Sequence, residues 1–148
     1  MTIRNLDALF KPESIALFGA TDEQGTVAAT IAKNLVEGEF SGRVMLVHPK
    51  RRGVFGAESY ATLDKLPEVP SMAVIVTRAA RVPKLVARLG EAGTRGVVII
   101  NSGPEESAAW RSEKLQQQLL EAAQTHLVRV LGPGTVGVML PRIGVNAS

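Results

Sequence analysis

The sequence predicts an α/β protein: a Rossmann-like, doubly wound parallel sheet of about five strands in a three-layer arrangement. Three observations carry this. Short, almost uniformly apolar segments recur along the chain, as expected of strands covered by helices on both faces. They alternate with segments whose apolar residues return every three or four positions, which is the helical period. Glycine, proline and small polar residues mark the junctions, and the first junction is a Gly-rich strand-to-helix turn.

Leu6, Leu9 and Phe10 give a short helical lead-in over 5–12, stopped by Pro12. Residues 14–18, Ser-Ile-Ala-Leu-Phe, read as the first buried strand. A turn follows over 19–26, with Thr26 or Asp22 able to cap the next helix, whose stripe is Val27, Ile31, Leu35 and Val36. Gly38 and Gly42 punctuate the return to a second strand at 43–48, ended by Pro49. Residues 50–71 read as a long surface connection with one helical turn at 63–66. A third strand spans 72–77, and Val82, Leu85, Val86 and Leu89 stripe a helix with Pro83 in its first turn. A fourth strand spans 96–100, one long helix 107–123, and a fifth strand 127–131. Gly132 to Gly137 form another Gly-rich loop, and Val138 to Leu140 a short extra strand. The extended-looking end at 143–148 suggests a chain cut from something longer.

Composition narrows the function. A chain of 148 residues suits one compact domain. The net charge of +3 is too small to argue for nucleic acid, and six aromatic side chains make a poor base-stacking surface. No apolar run reaches the roughly 18 residues of a membrane span, and the first residues lack a secretory pattern. With no cysteine there is no disulfide, thiolate chemistry or Cys-based zinc site, in keeping with a cytoplasmic protein. No metal site is expected.

In open parallel sheets ligands bind beyond the carboxyl ends of the strands, near the point where strand order reverses. The candidate loops all fall at such ends: 19–26, 49–52, 77–81, 101–106 and 132–137. The first is an anion cradle, because the initial N–H groups of a helix lack intrahelical partners and lie at the positive end of its dipole. Gly19 and Gly25 do not match G-x-G-x-x-G, and the second strand ends without the carboxylate that accepts from an NAD ribose. Lys50, Arg51 and Arg52 stand there instead, which favours a ribose bearing an extra phosphate. NADP and coenzyme A both qualify.

Phe18-Gly19-Ala20-Thr21 with Gln24-Gly25-Thr26, then Val47-His48-Pro49-Lys50, Asn101-Ser102-Gly103 with Glu105 or Glu106, and Leu131-Gly132-Pro133 together resemble the CoA-binding domain of the NDP-forming acyl-CoA synthetases. That superfamily includes the α subunit of succinyl-CoA synthetase. The resemblance runs from Leu6 to Ser148 and implies that residues 1–148 are a CoA-binding Rossmann-like domain, an N-terminal fragment of a longer multidomain protein. It implies that Gly19, Thr21, Gln24, Gly25 and Thr26, with Ala20 in the same loop, hold phosphate and that Pro49 and Lys50 border adenosine. Arg51 and Arg52 are assigned to the 3'-phosphate on electrostatic grounds. Thr77, Arg78 and Ala79 would line the nucleotide or pantetheine path, and Asn101, Ser102 and Gly103 would lie near the thiol end. The chain departs from the family at Gly134, Ala28 and His48, where Asn, Gly and Asn are usual.

No catalytic residue is expected. In the family, acyl transfer passes through a phosphorylated histidine on a later domain, with an ATP-grasp region supplying the nucleotide chemistry. His48 and His126 read as ordinary surface or capping residues, while Glu105 or Glu106 can orient a partner's phosphohistidine. The expected ligand is CoA or acyl-CoA. The expected partners are ligase and ATP-grasp domains in cis or trans, with a homo-oligomer left open. The parent would be an acid-thiol ligase or its fusion with an acetyltransferase. A stand-alone CoA- or nucleotide-sensing module and an NADP-dependent reductase domain are the alternatives.

Overall fold

The computed structural model describes residues 4–50 and 52–148. The expected α/β, doubly wound architecture is present, with a seven-stranded sheet where about five strands were expected. In chain order the elements are α1 (Asp7–Phe10), β1 (Ser14–Phe18), α2 (Val27–Glu37), β2 (Arg43–Val47), β3 (Gly53–Val54), β4 (Ala57–Tyr60) and β5 (Met72–Ile75). Then come α3 (Val82–Ala92), β6 (Gly96–Ile100), α4 (Pro104–Ala109), α5 (Glu113–Thr125), β7 (Arg129–Thr135), β8 (Val138–Leu140) and β9 (Val145–Ala147). The sheet order is β3-β4-β2-β1-β5-β6-β7, parallel throughout except between β3 and β4.

Two layers cover the sheet because residues along each strand alternate between its faces. From β1, Ile15 and Leu17 enter the core with α2, where Ile31 and Leu35 meet Leu46 and Val74. The antiparallel β8–β9 hairpin closes the same side through Val145 and Ala147. Ala16 and Phe18 face the other way, with Val86 and Leu89 of α3, Leu119 of α5 and Trp110. All five β1 residues are buried, as befits the central strand. α3 ends where Gly93 takes φ 118°, and the N–H of Thr94 bonds back to the Leu89 carbonyl at 3.0 Å.

Four expectations about elements are corrected. The helix predicted over 107–123 is two helices, because Ser112 restarts it: its Oγ accepts from Leu115 N–H at 3.2 Å. The strand predicted over 127–131 begins at Arg129, since Leu127 still belongs to the exit from α5 with φ 55°. That strand runs on through the Gly132–Gly134 stretch to Thr135, which pairs with Ile100 after a register shift between Val98 and Ile100 of β6. The connection 50–71 contains the 3-10 turn Leu63–Lys65 but also the β3–β4 hairpin, turned at Phe55 and Gly56 with φ 49° and 77°.

From β1 the chain passes through α2 to β2 on one side, then returns after β4 to β5 on the other side of β1. The strand order therefore reverses at β1/β5. A crevice opens there, beyond the carboxyl ends of the strands.

Candidate functional site

The first loop is shaped by its own hydroxyls. Thr26, not Asp22, caps α2: its Oγ1 accepts from Ala29 N–H at 3.1 Å and its hydroxyl donates to the Glu23 carbonyl at 2.8 Å. Thr21 Oγ1 accepts from Glu23 N–H at 3.2 Å. The first intrahelical bond runs from Thr30 N–H to the Thr26 carbonyl, so Val27 and Ala28 begin the helix without a carbonyl one turn earlier to receive their N–H groups. Gly19 has φ 94°, and a Cβ on it would sit 2.7 Å from the Val76 carbonyl oxygen, so only glycine lets the exits of β1 and β5 cross this closely. The N–H groups of Gly19 and Ala20 both donate to the Val47 carbonyl, at 3.0 and 3.1 Å. Ala20 is fully buried; Gln24 and Gly25 are exposed.

The second loop is a side-chain-closed turn. His48 donates its N–H to the Tyr60 carbonyl at 2.9 Å, and its ring Nδ1 accepts from Lys50 N–H at 3.1 Å. This holds Pro49 and Lys50 out at the mouth of the crevice. Arg51 lies outside the described residues. Arg52 is exposed and its carbonyl anchors the hairpin through Ser59 N–H at 3.1 Å.

The third and fourth loops are fastened to each other. After Thr77 the chain makes a 3-10 turn over Ala79–Arg81, with Arg81 N–H bonded to the Arg78 carbonyl at 2.9 Å. Ala79 is buried, and its N–H donates to the Glu106 carboxylate. Asn101 donates from Nδ2 to Ser107 Oγ at 3.3 Å, and that hydroxyl donates to the Gly103 carbonyl at 3.2 Å. Among the described residues, two buried side-chain polar atoms have no partner, Thr77 Oγ1 and Asn101 Oδ1, just past the ends of the adjacent strands β5 and β6.

These loops enclose a cleft of about 820 Å³ at the strand-order reversal. Phe18, Val47, Leu63, Val76 and Leu85 give it an apolar lining, while Lys50, Arg78, Arg81 and Arg88 surround it with cations. Gly19, Thr21, Pro49, Thr77 and Ser102 border it too, together with Glu23, its one lining carboxylate. Of the residues predicted for the site, Ala20, Gln24, Gly25, Thr26, Arg52, Ala79, Asn101 and Gly103 are not in this lining. Gly103 instead borders, with Ser102, Glu105 and Glu106, a neighbouring hollow of about 400 Å³.

Sequence reasoning placed Arg81 in the 77–81 candidate loop without giving it a role, and it passed over Leu85 and Arg88 as site residues. Their spacing is the available signal, since i, i+4 and i+7 share one face of the α3 entry. It also passed over 61–63, which the hairpin folds back onto the cleft. Among the described residues no three His, Asp or Glu side chains gather to hold a metal ion, and no helix is long and apolar enough to cross a membrane.

A family model described as a CoA binding domain matches residues 13–141. The chain is 37% identical over 143 residues to an ADP-forming acetate–CoA ligase I of Archaeoglobus fulgidus, covering 97% of this chain and 20% of that protein. It is 34% identical over 148 residues to the α subunit of the corresponding Pyrococcus furiosus ligase, covering 97% and 32% respectively. Among solved structures it superposes on a dinucleotide-forming acetyl-coenzyme A synthetase 1 of Ca. Korarchaeum cryptofilum in complex with phosphate and ADP, with TM-score 0.82 and 30% identity over 97% of this chain and 30% of that one. The chain thus spans about a fifth to a third of the length of these relatives. With the strand-end cleft, its Gly-rich first loop and a match that runs nearly end to end, the chain belongs to the CoA binding domain family.

Proposed function

We propose that the protein holds coenzyme A and its acyl thioesters in the cleft at the β1/β5 reversal, as the carrier-binding part of an ADP- or NDP-forming acyl-CoA synthetase. The observation that carries this is the convergence of the first loop, through Gly19, Thr21 and Glu23, with the Pro49–Lys50 turn and the loop after β5, through Thr77, Arg78 and Arg81, on one cleft with an apolar lining and a cationic rim. CoA has the matching parts: a flat apolar base, a diphosphate and a further phosphate on the ribose.

In this reading the diphosphate lies at the 19–27 loop, where the first N–H groups of α2 and its dipole favour an anion. Adenosine lies against Pro49, with Lys50, Arg51 and Arg52 adding positive charge nearby. Pantetheine passes Thr77, Arg78 and Ala79 toward Asn101, Ser102 and Gly103. The two unpartnered atoms fit such an arm: Asn101 Oδ1 can accept from an amide N–H, and Thr77 Oγ1 can donate to an amide carbonyl. Leaving them unmade costs free energy, so a ligand that satisfies them is favoured.

No phosphoryl or acyl transfer is assigned to this chain's residues. That chemistry belongs to ligase and ATP-grasp domains in cis or trans. Glu106 is engaged by Ala79 N–H, which leaves the exposed Glu105 as the carboxylate better placed to meet a partner.

Calorimetric titration with CoA, acetyl-CoA, NADPH and NADH tests the proposal. CoA and acetyl-CoA are expected to bind and the nicotinamide cofactors to bind much more weakly. Well-folded protein that ignores CoA, or prefers NADPH, overturns it.

A further inference from the structure

One turn at the mouth of the cleft depends on a side chain that titrates. His48 is half-buried; its backbone N–H donates to the Tyr60 carbonyl at 2.9 Å, and its ring Nδ1 accepts from the N–H of Lys50, two residues on, at 3.1 Å. A backbone N–H can only donate, so Nδ1 must offer a lone pair and the ring must be neutral. The arrangement is the histidine counterpart of an Asx turn, in which asparagine Oδ1 accepts from the N–H two residues later. Asparagine, usual in the family at this position, supplies that acceptor at every pH, whereas histidine supplies it only while Nδ1 is unprotonated. His48, Pro49 and Lys50 all line the cleft.

We infer that His48 is a positioning residue that couples the cleft to protons: the protein binds its carrier with the His48 ring neutral and binds it more weakly once the ring is protonated. The inference rests on the CoA reading above. Protonation sets an N–H on Nδ1 against the N–H of Lys50, so the turn that carries Pro49 and Lys50 loses its closing bond. The charged and titratable groups that line the cleft with the ring are Lys50 on its own turn, Glu23 on the first loop, Arg78 and Arg81 after β5, and Arg88 on α3, the last paired with Asp64 at 2.8 Å. Tyr60 of β4 adjoins through its backbone carbonyl. With these cations already present, a charge on the ring is repelled in the empty cleft and adds only a small, screened increment to the attraction for a phosphate. The lost turn is the larger effect. The sign follows: affinity is full above the ring's titration and declines as pH falls through it.

The test is calorimetry with dephospho-CoA and CoA at about pH 7.5 and about pH 5.5, which span the imidazole range, at constant ionic strength, on wild type, H48N and H48A. Dephospho-CoA is the deciding probe, because the phosphomonoester of CoA itself titrates at about pH 6. Wild-type affinity for dephospho-CoA is expected to fall by about three- to tenfold between the two, the scale of one hydrogen bond. H48A should be weaker than wild type at the higher pH by a similar factor and change by less than about twofold with pH. H48N should recover most of that loss and share the flat profile. The Lys50 amide resonance of unliganded wild type should titrate together with the His48 ring and stay in place in H48N. His126 borders a different hollow, between α3 and α5, and is present in all three proteins, so its titration cancels. Wild-type affinity that holds or rises at the lower pH, an equal fall in H48N, a folded H48A as tight as wild type, or a Lys50 amide that ignores the ring each overturns the inference and leaves the CoA reading standing. Folded wild type that binds neither ligand at either pH overturns both. Circular dichroism establishes folding of each protein at each pH.

Discussion

The carboxylate of Glu106, on the short helix after β6, accepts a hydrogen bond from the backbone N–H of Ala79, on the turn after β5. One side chain thereby ties two neighbouring strand-end loops into a single wall of the cleft. Glu106→Ala should free the turn: amide exchange at Ala79 should accelerate and CoA affinity fall by roughly three- to tenfold, the scale of one lost charge-assisted bond. Glu106→Gln keeps an accepting oxygen and should lose much less. Unchanged exchange at Ala79 in the alanine variant would remove the tie from the account.

Gly19 and Gly25 separate two reasons for needing glycine. Both have positive φ, 94° and 82°, but a Cβ on Gly19 meets the Val76 carbonyl at 2.7 Å whereas one on Gly25 meets nothing within 4 Å. Gly25→Ala should therefore cost about 1 kcal/mol of stability, the left-handed penalty alone. Gly19→Ala should cost about 2 to 4 kcal/mol, because the backbone it strikes, at Val76 directly after β5, is itself held by its N–H bond to the Phe18 carbonyl. Urea unfolding midpoints check both, and equal losses would contradict the contact argument.

Thr26 serves as a cap in both directions, accepting from Ala29 N–H and donating to the Glu23 carbonyl. Thr26→Ala should lower stability by about 1 kcal/mol, as for other N-cap losses, and Thr26→Ser should restore most of it. Thermal denaturation of the two variants decides whether the hydroxyl or the methyl matters.

Thr77 offers a prediction of opposite signs. Its buried Oγ1 has no partner, so Thr77→Val removes an unsatisfied group while keeping the side chain's shape. The unliganded protein should gain stability, up to about 1 kcal/mol. CoA affinity should fall at the same time, because the ligand loses that partner. A variant that loses stability and keeps its affinity would show that the hydroxyl serves the fold and not the ligand.

Much of the scaffold was legible because burial on both faces imposes an unambiguous pattern. β1 and β6 are wholly apolar apart from Ser14 and Gly96, and every β1 residue is buried. The site was legible where glycine marked a forced geometry, as at Gly19. The hairpin at 53–60 escaped notice because its turn uses Phe55 in the left-handed region, where Asn or Gly is the usual signal. The break at Ser112 was hidden because its flanks carry a continuous helical stripe, and only the cap bond to Leu115 shows the restart. Arg78 was legible at a strand end, whereas Arg88 reaches the cleft from within α3, and a helical face in the sequence does not say which loop it will meet.

The Val47 carbonyl takes hydrogen bonds from both Gly19 and Ala20, so its acceptor capacity is filled by the loop that starts the site. This makes the length of β2 a measured quantity in the molecule. Adding or deleting one residue ahead of Val47 would offer a neighbouring carbonyl at the wrong height and turn every β2 side chain to the opposite face. The exposed tip at Phe55–Gly56 carries no such constraint, and a Cβ there on Gly56 meets nothing. Insertions, labels and affinity tags should be tolerated at that tip and rejected from β2, although the two positions lie only a few residues apart along the chain.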